Sequence, residues 1–319
     1  YCYHYSYNIS IVNCTMSGNV YHGVFCRDYS HDIDITGCTV SQNGASGIVC
    51  RDYSYNINIV NCTVSQSSYY GIYCFASSHH ISIVNCTVSN NGEHGVVCYD
   101  HSHDISIANC TVSGNSGNGV NCTYYSYGIS IVKCTLDQNV YHGVYCYQAS
   151  NISITSCTVS NNNEDGVYCD SSHHISVVNC TVSNNGDDGV SAIDSYDISV
   201  VNCTVSGNSR SGVYVVGFFS LSHHISVVNC TVSNNGDDGV CVLNSYDISI
   251  VSCTVSENAI PRGNGVHCLN AFSVNIAGCT VSGNGQYGVW CEDAHHIWVV
   301  GCVLSDNGKD GMACASTVH

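Results

Sequence analysis

Apolar and polar positions alternate in short runs along the whole chain, and the runs return at a fixed interval. In the second unit the pattern reads Val24 and Cys26, then Ile33 and Ile35, then Cys38 and Val40, with other residues between the members of each pair. Alternation is the period of a β-strand, whose successive side chains point to opposite faces. Each pair therefore predicts one short strand with two inward side chains. The stretches between are rich in Gly, Asn, Ser and Asp, which favour turns. No segment carries a helix-length apolar stripe.

From Cys2 to Cys146 a cysteine falls every 12 residues. Two motif types alternate: ISIVNCTVS, as around Cys14, Cys62, Cys86, Cys110, Cys180, Cys203 and Cys230, and GVxC, as around Cys26, Cys74, Cys98, Cys146 and Cys169. The true unit is thus about 24 residues, and thirteen units fill the chain. Three short strands per unit predict a solenoid of parallel sheets in which like residues stack roughly 4.8 Å apart. One column is glycine in all thirteen units, from Gly23 to Gly311. Such a column predicts a positive φ or a close backbone approach. Asn stands four residues earlier in most units, as at Asn91, Asn115 and Asn139, and predicts a ladder of stacked amides at a turn. The corner before the CTVS cysteine takes Asn, Gly, Ser or, once, Lys133, the residue set of a left-handed turn.

The unit HHISIVNCTVSNNGEHGVVCYD resembles the right-handed parallel β-helix repeats of pectate-lyase-like and NosD-like proteins. The resemblance covers the whole chain and implies right-handed coiling. The expected fold is all-β: a single-stranded right-handed parallel β-helix of about 13 coils of about 24 residues, three short strands per coil. It is expected to form one domain, 1–319, uncapped at both ends. That fold hosts lyases, hydrolases, adhesins and surface-layer proteins alike, so it does not choose a function.

Charge narrows the classes. The chain carries 23 acidic against 6 basic side chains, a formal net charge of −17. A nucleic-acid or anionic-membrane partner needs basic patches, and Arg27, Arg51, Lys133, Arg210, Arg262 and Lys309 are scattered. No apolar run reaches the ~18 residues of a membrane-spanning helix. No cofactor is expected.

The acidic turns before the glycine column are the nearest approach to catalytic groups: Glu164-Asp165, Asp187-Asp188 and Asp237-Asp238. The NGDDGV segments resemble the paired aspartates of polygalacturonases, but the Gly-His-Gly and Arg-x-Lys of that family are missing. Stacked carboxylates share protons or hold Ca²⁺. If the chain is an enzyme, Asp165, Asp188, Asp238 and Arg210 are its catalytic set. A surface turn that favours Asp and Gly accounts for the same residues and is the expectation. Histidine pairs such as His79-His80 and His173-His174 precede the long strand; they are expected to be solvated turns, and no metal site is expected.

Alternation places two cysteine columns in the core. Ala192, Val215 and Val242 replace cysteine in the GVxC column, so that site accepts any small apolar group. In-register strands aim the sulfurs in one direction, and a mainly reduced ladder is expected. Cys241 is one residue out of phase; it is expected to face outward and to be the most readily alkylated cysteine.

Outward positions are also columnar. Thr and Ser flank the CTVS strand, as at Thr15/Ser17 and Thr39/Ser41, and Phe25, Val49, Tyr73, Val97 and Tyr145 lie outward on GVxC. Exposed apolar stripes mark contact surfaces. The leading expectation is therefore a non-enzymatic subunit of an extracellular filament, sheath or surface layer. It would associate with itself laterally and head to tail, with Cys2 of one copy near Cys314 of the next. A polysaccharide lyase or hydrolase is the first alternative, and an ice-binding solenoid using the Thr/Ser array the second. Export and covalent glycans are expected at some of the sequons Asn8, Asn13, Asn61, Asn85, Asn109, Asn121, Asn151, Asn179, Asn202 and Asn229.

Overall fold

The computed structural model describes residues 1–315, which hold strands and turns and no helix. The chain divides into two compact units, 1–163 and 164–319. In the first, one coil runs through His79–Val84, Thr87–Ser89 and Val96–Tyr99. Each strand pairs in parallel with its counterpart one repeat later: Ile81 with Ile105, Thr87 with Thr111, Cys98 with Cys122. In the second unit Ser222–Val228, Thr231–Ser233 and Val240–Leu243 do the same, aligning Ile225 with Ile248, Thr231 with Thr254 and Val240 with Val266. Each unit has three parallel sheets, built from the long strands, the three-residue strands and the cysteine strands. The expected all-β solenoid of about 13 coils of about 24 residues is the fold observed.

The core follows the alternation. Ile81, Ile83, Val88, Val96 and Cys98 of one coil are all buried. Cys26, Cys50 and Cys74 form one buried column and Cys38, Cys62 and Cys86 another. That result settles the register, because a slip of one residue would turn every one of these side chains outward. The CTVS cysteines do more than fill space. Cys62 Sγ lies 3.4 Å from the Ile35 carbonyl oxygen and 3.3 Å from that of Val60, while the Cys38 N–H points to Cys62 Sγ at 3.4 Å. A thiol is both weak donor and weak acceptor, so it bridges backbone groups that the corner leaves without sheet partners.

The turn columns also resolve. Asn91 Nδ2 donates to Asn115 Oδ1 at 3.0 Å, and Asn115 repeats the bond to Asn139. The glycine column needs room rather than a positive φ: a Cβ on Gly119 would stand 2.6 Å from the Gly143 carbonyl oxygen and 2.9 Å from Asn139 Nδ2. Left-handed backbone occurs at the corner instead, at Asn85 (φ 53°) and Lys133 (φ 52°). The histidine pairs split. His79 stacks between Tyr55 and His103 at ring separations of 5.3 and 4.8 Å, whereas His80, the next residue of the same strand, has left-handed backbone (φ 51°).

Candidate functional site

The cysteine sheet is where the outer surface departs from expectation. Its outward residues were to form an exposed apolar stripe, yet Phe25, Val49 and Val97 are buried. The turns on either side rise over the strands and carry rings that cover them. Tyr70 and His94 flank the face from the turn before the strands and Tyr124 from the turn after them, while Phe75 and Tyr99 close the strand ends, so the sheet face is the floor of a trough.

The wall before the glycine column has a backbone task. In many coils the side chain of the residue preceding the glycine accepts from the matching N–H of the next coil. The Asn118 N–H donates to His94 Nδ1 at 2.7 Å, and the His142 N–H to Asn118 Oδ1 at 3.0 Å. In the second unit aspartates take this place. The Asp188 N–H donates to Asp165 Oδ1 (2.8 Å), the Ser211 N–H to Asp188 Oδ1 (2.7 Å) and the Asn264 N–H to Asp238 Oδ1 (2.6 Å). The expectation of a solvated surface turn is therefore corrected for Asp165, Asp188 and Asp238. All three are buried, because an acceptor that caps the next coil must lie between coils. Of their neighbours, Asp237 is exposed, whereas Asp187 is half-buried with its Oδ1 shielded from solvent.

Asp188, Asp238 and Arg210 line one cleft of about 400 Å³ in the second unit, together with Tyr214, Asp237, Cys241, Arg262 and His267. Asp165 lies beneath Asp188 rather than in the cleft wall. Burial pushes the Asp188 carboxyl up to about 8, helped by the charges of Asp165 and Asp187, so it carries its proton at neutral pH. Arg210 Nε sits 3.1 Å from Asp187 Oδ1, and the arginine side chain is itself exposed, so its guanidinium is within reach of a ligand. Arg262 stands exposed on the turn that carries the inserted residues of its coil. Across the floor, His267 Nδ1 is 2.9 Å from Asp238 Oδ2. Burial works to lower the pKa of this imidazole, but the hydrogen bond and charge of Asp238 outweigh it and raise the pKa overall. Tyr214 is pushed up by burial, with the charges of Cys241 and Asp188 acting in the same direction.

Cys241 corrects a second expectation. It does occupy the outward position, in register with Tyr214 and His267. Yet it is only 6% exposed, because the cleft walls close over it. Burial and the charges of Asp238 and Asp237 push its thiol well up. The exposed cysteines are Cys14 and Cys314, and Cys2 is buried against Cys26. Asn121 leaves the set of glycan candidates. It is buried on the trough floor, where its Oδ1 accepts from Asn118 Nδ2 at 2.9 Å. Asn8, Asn13, Asn61, Asn85, Asn109, Asn151, Asn179, Asn202 and Asn229 are exposed.

Sequence reasoning missed Tyr214, Arg262 and His267. The available mark was irregularity: the cleft coils lack the core cysteine at Val215 and Val242, shift it to Cys241, and carry added residues around Pro261.

The family described as right handed beta helix region matches residues 1–136, 125–221 and 217–318. Among curated proteins, none matches the sequence. Similar solved structures include the A-module of the mannuronan C-5 epimerase AlgE4 of Azotobacter vinelandii, with a TM-score of 0.60 and 14% identity over 96% of this chain and 88% of that chain. PfbA, a surface adhesin of Streptococcus pneumoniae, gives a TM-score of 0.56 and 11% identity over 93% of this chain and 86% of that one. The Dettilon tailspike protein gives 0.56 and 14% over 95% of this chain and 62% of that one. At these identities the likeness is one of fold.

Proposed function

This chain belongs to the right-handed β-helix family, and from that premise we propose that the cleft of the second unit binds and processes an anionic, uronate-type polysaccharide outside the cell or at its surface. The observation that carries the reading is Asp188, a carboxyl buried in the wall of an open cleft that also presents Arg210 and Arg262; that burial pushes its pKa up to about 8. In an otherwise acidic, cation-poor chain, two guanidinium groups at one cleft select carboxylates. Pairing a uronate carboxylate with arginine withdraws charge from it and acidifies the adjacent C–H bond. Asp237, an exposed carboxylate of the same cleft, takes that C–H proton, and Asp188 delivers one to the opposite face of the carbanion or to the departing glycosidic oxygen. Beside the cleft, Tyr287 and Trp290 stack at 4.7 Å with Lys309 over the tyrosine ring, a surface suited to the apolar face of a neighbouring sugar. The mannuronan epimerase and the adhesin support the substrate class and the location as analogies of fold.

The test is incubation of the purified chain with polyuronates and with neutral glucans, following unsaturated-uronate absorbance and sugar stereochemistry by NMR. Change confined to the polyuronates, and lost in Asp188→Asn, is the expected result. No binding and no turnover on any anionic polysaccharide would remove the reading. A structural subunit is the second reading, favoured by the outward Thr column, which stays exposed coil after coil, as at Thr63, Thr87 and Thr111. Filaments in electron micrographs of the purified protein are its test.

A further inference from the structure

Three cleft residues have no part in the proton chemistry just described: Asp238, Cys241 and His267. Cys241 is not placed for packing, since Val242 takes the inward position that Cys268 holds in the next coil. Its Sγ lies 4.0 Å from His267 Nδ1, and the same nitrogen is 2.9 Å from Asp238 Oδ2. This arrangement is not a nucleophilic Cys–His–Asp relay. A relay needs thiol and carboxylate on opposite ring nitrogens, so that one takes the proton while the other orients the ring. Here both converge on Nδ1, and Nε2 is buried with no hydrogen-bond partner, a condition rare in folded proteins and concentrated at functional sites.

Convergence of a carboxylate oxygen, a sulfur and an imidazole nitrogen on one point is the donor arrangement of a metal centre. One donor atom from each residue lies within 4.8 Å of the other two. Bonds of about 2.0–2.3 Å to a tetrahedral zinc ion place donors roughly 3.3–3.8 Å apart, so small side-chain adjustments close the set. Support for the carboxylate is already in place. The Asn264 N–H and Asn264 Nδ2 both donate to Asp238 Oδ1, at 2.6 and 2.9 Å, which turns Oδ2 toward His267. Outer hydrogen bonds of this kind orient metal ligands.

We propose that Asp238, Cys241 and His267 bind one divalent ion of the zinc type, leaving its fourth position open to the cleft. Two anionic donors and a neutral imidazole match a 2+ charge, and the mixed sulfur–nitrogen–oxygen set disfavours Ca²⁺ and Mg²⁺, which take oxygen. Its binding does not depend on the polysaccharide reading.

The experiment uses the full chain, purified under reducing conditions, stripped with chelator and reloaded with Zn²⁺ or Co²⁺. One tightly held equivalent is expected, and the cobalt form should show thiolate-to-metal charge-transfer absorption with tetrahedral d–d bands. Cys241→Ser should abolish the charge-transfer band, and His267→Gln should weaken affinity by at least about 10–100-fold. Cys14→Ser, which alters an exposed cysteine, should change neither. Circular dichroism establishes that each variant remains β-structured. A wild-type chain that retains no stoichiometric metal, or a band that survives in folded Cys241→Ser, would overturn the proposal. Polysaccharide turnover enters neither readout, so the two proposals fail independently.

Discussion

In the first unit the floor positions Val97, Asn121, Tyr73 and Tyr145 are walled by Tyr70, His94, Tyr99 and Tyr124, enclosing about 700 Å³ lined mostly by rings. In the second unit the equivalent floor carries Tyr214, Cys241 and His267 between walls of Asp188, Asp238, Arg210 and Arg262. Backbone, register and inward columns are the same kind in both. The chemistry differs because inward positions answer to packing, whereas outward positions on this sheet answer to nothing in the fold. A solenoid thus supplies a trough wherever its turns are tall, and substitution at a few outward sites decides what the trough does. The same turn column shows how an acceptor needed by the backbone acquires chemistry. His94 and Asn118 cap the next coil as hydrogen-bonding neutral groups, but Asp188 does so as a buried acid.

The sharpest way to break this comparison is Asp188→Asn. The amide keeps an oxygen for the Ser211 N–H, so the coil stays capped, while polyuronate turnover should fall by about 10²–10⁴-fold. Tyr99→Ala in the first trough should leave turnover unchanged; equal losses in both variants would make the cleft unexceptional. The same substitution has a stability signature. Asp188 holds its proton up to about pH 8 when folded but only to about 3.8 when unfolded. Between those values the native state binds the extra proton, so stability falls as pH rises, by at most about 1.4 kcal/mol per pH unit, and levels off above 8. Denaturant melts from pH 4 to 9 should show that decline in the wild type and a flatter profile in Asp188→Asn.

Gly119→Ala should cost the first unit about 1–3 kcal/mol in urea melts, because its Cβ meets the Gly143 carbonyl and the Asn139 amide, neither of which is free to move. It should not affect polysaccharide processing. Arg262→Ala should weaken polyuronate binding about tenfold and reduce its salt dependence, measured by calorimetry at two ionic strengths, with stability within about 0.5 kcal/mol of the wild type. The smallest effect concerns access. Brief alkylation of the native protein, mapped by mass spectrometry, should label Cys14 and Cys314 well before Cys241.

Coil length, strand positions, both cysteine columns, the asparagine ladder and the left-handed corners were all legible in the sequence, because each is a local requirement repeated in most or all coils. Ile81 must face inward in its coil for the same reason as Ile105 in the next, and repetition turns a weak preference into a clear pattern. The acidic turns and Arg210 were also visible, but their burial was not. Alternation tells which face a residue takes and is silent on what covers that face. Only the tertiary structure brought His267 to Asp238, 29 residues away, and placed Cys241 beside both. It alone buried Asp188 between coils, which raised its pKa, and it alone walled in Val49 and Val97, which sequence had left as an exposed stripe. Spacing along the chain specifies the repeat; the height of the turns, and hence solvent access to charge, emerges only when coils are stacked.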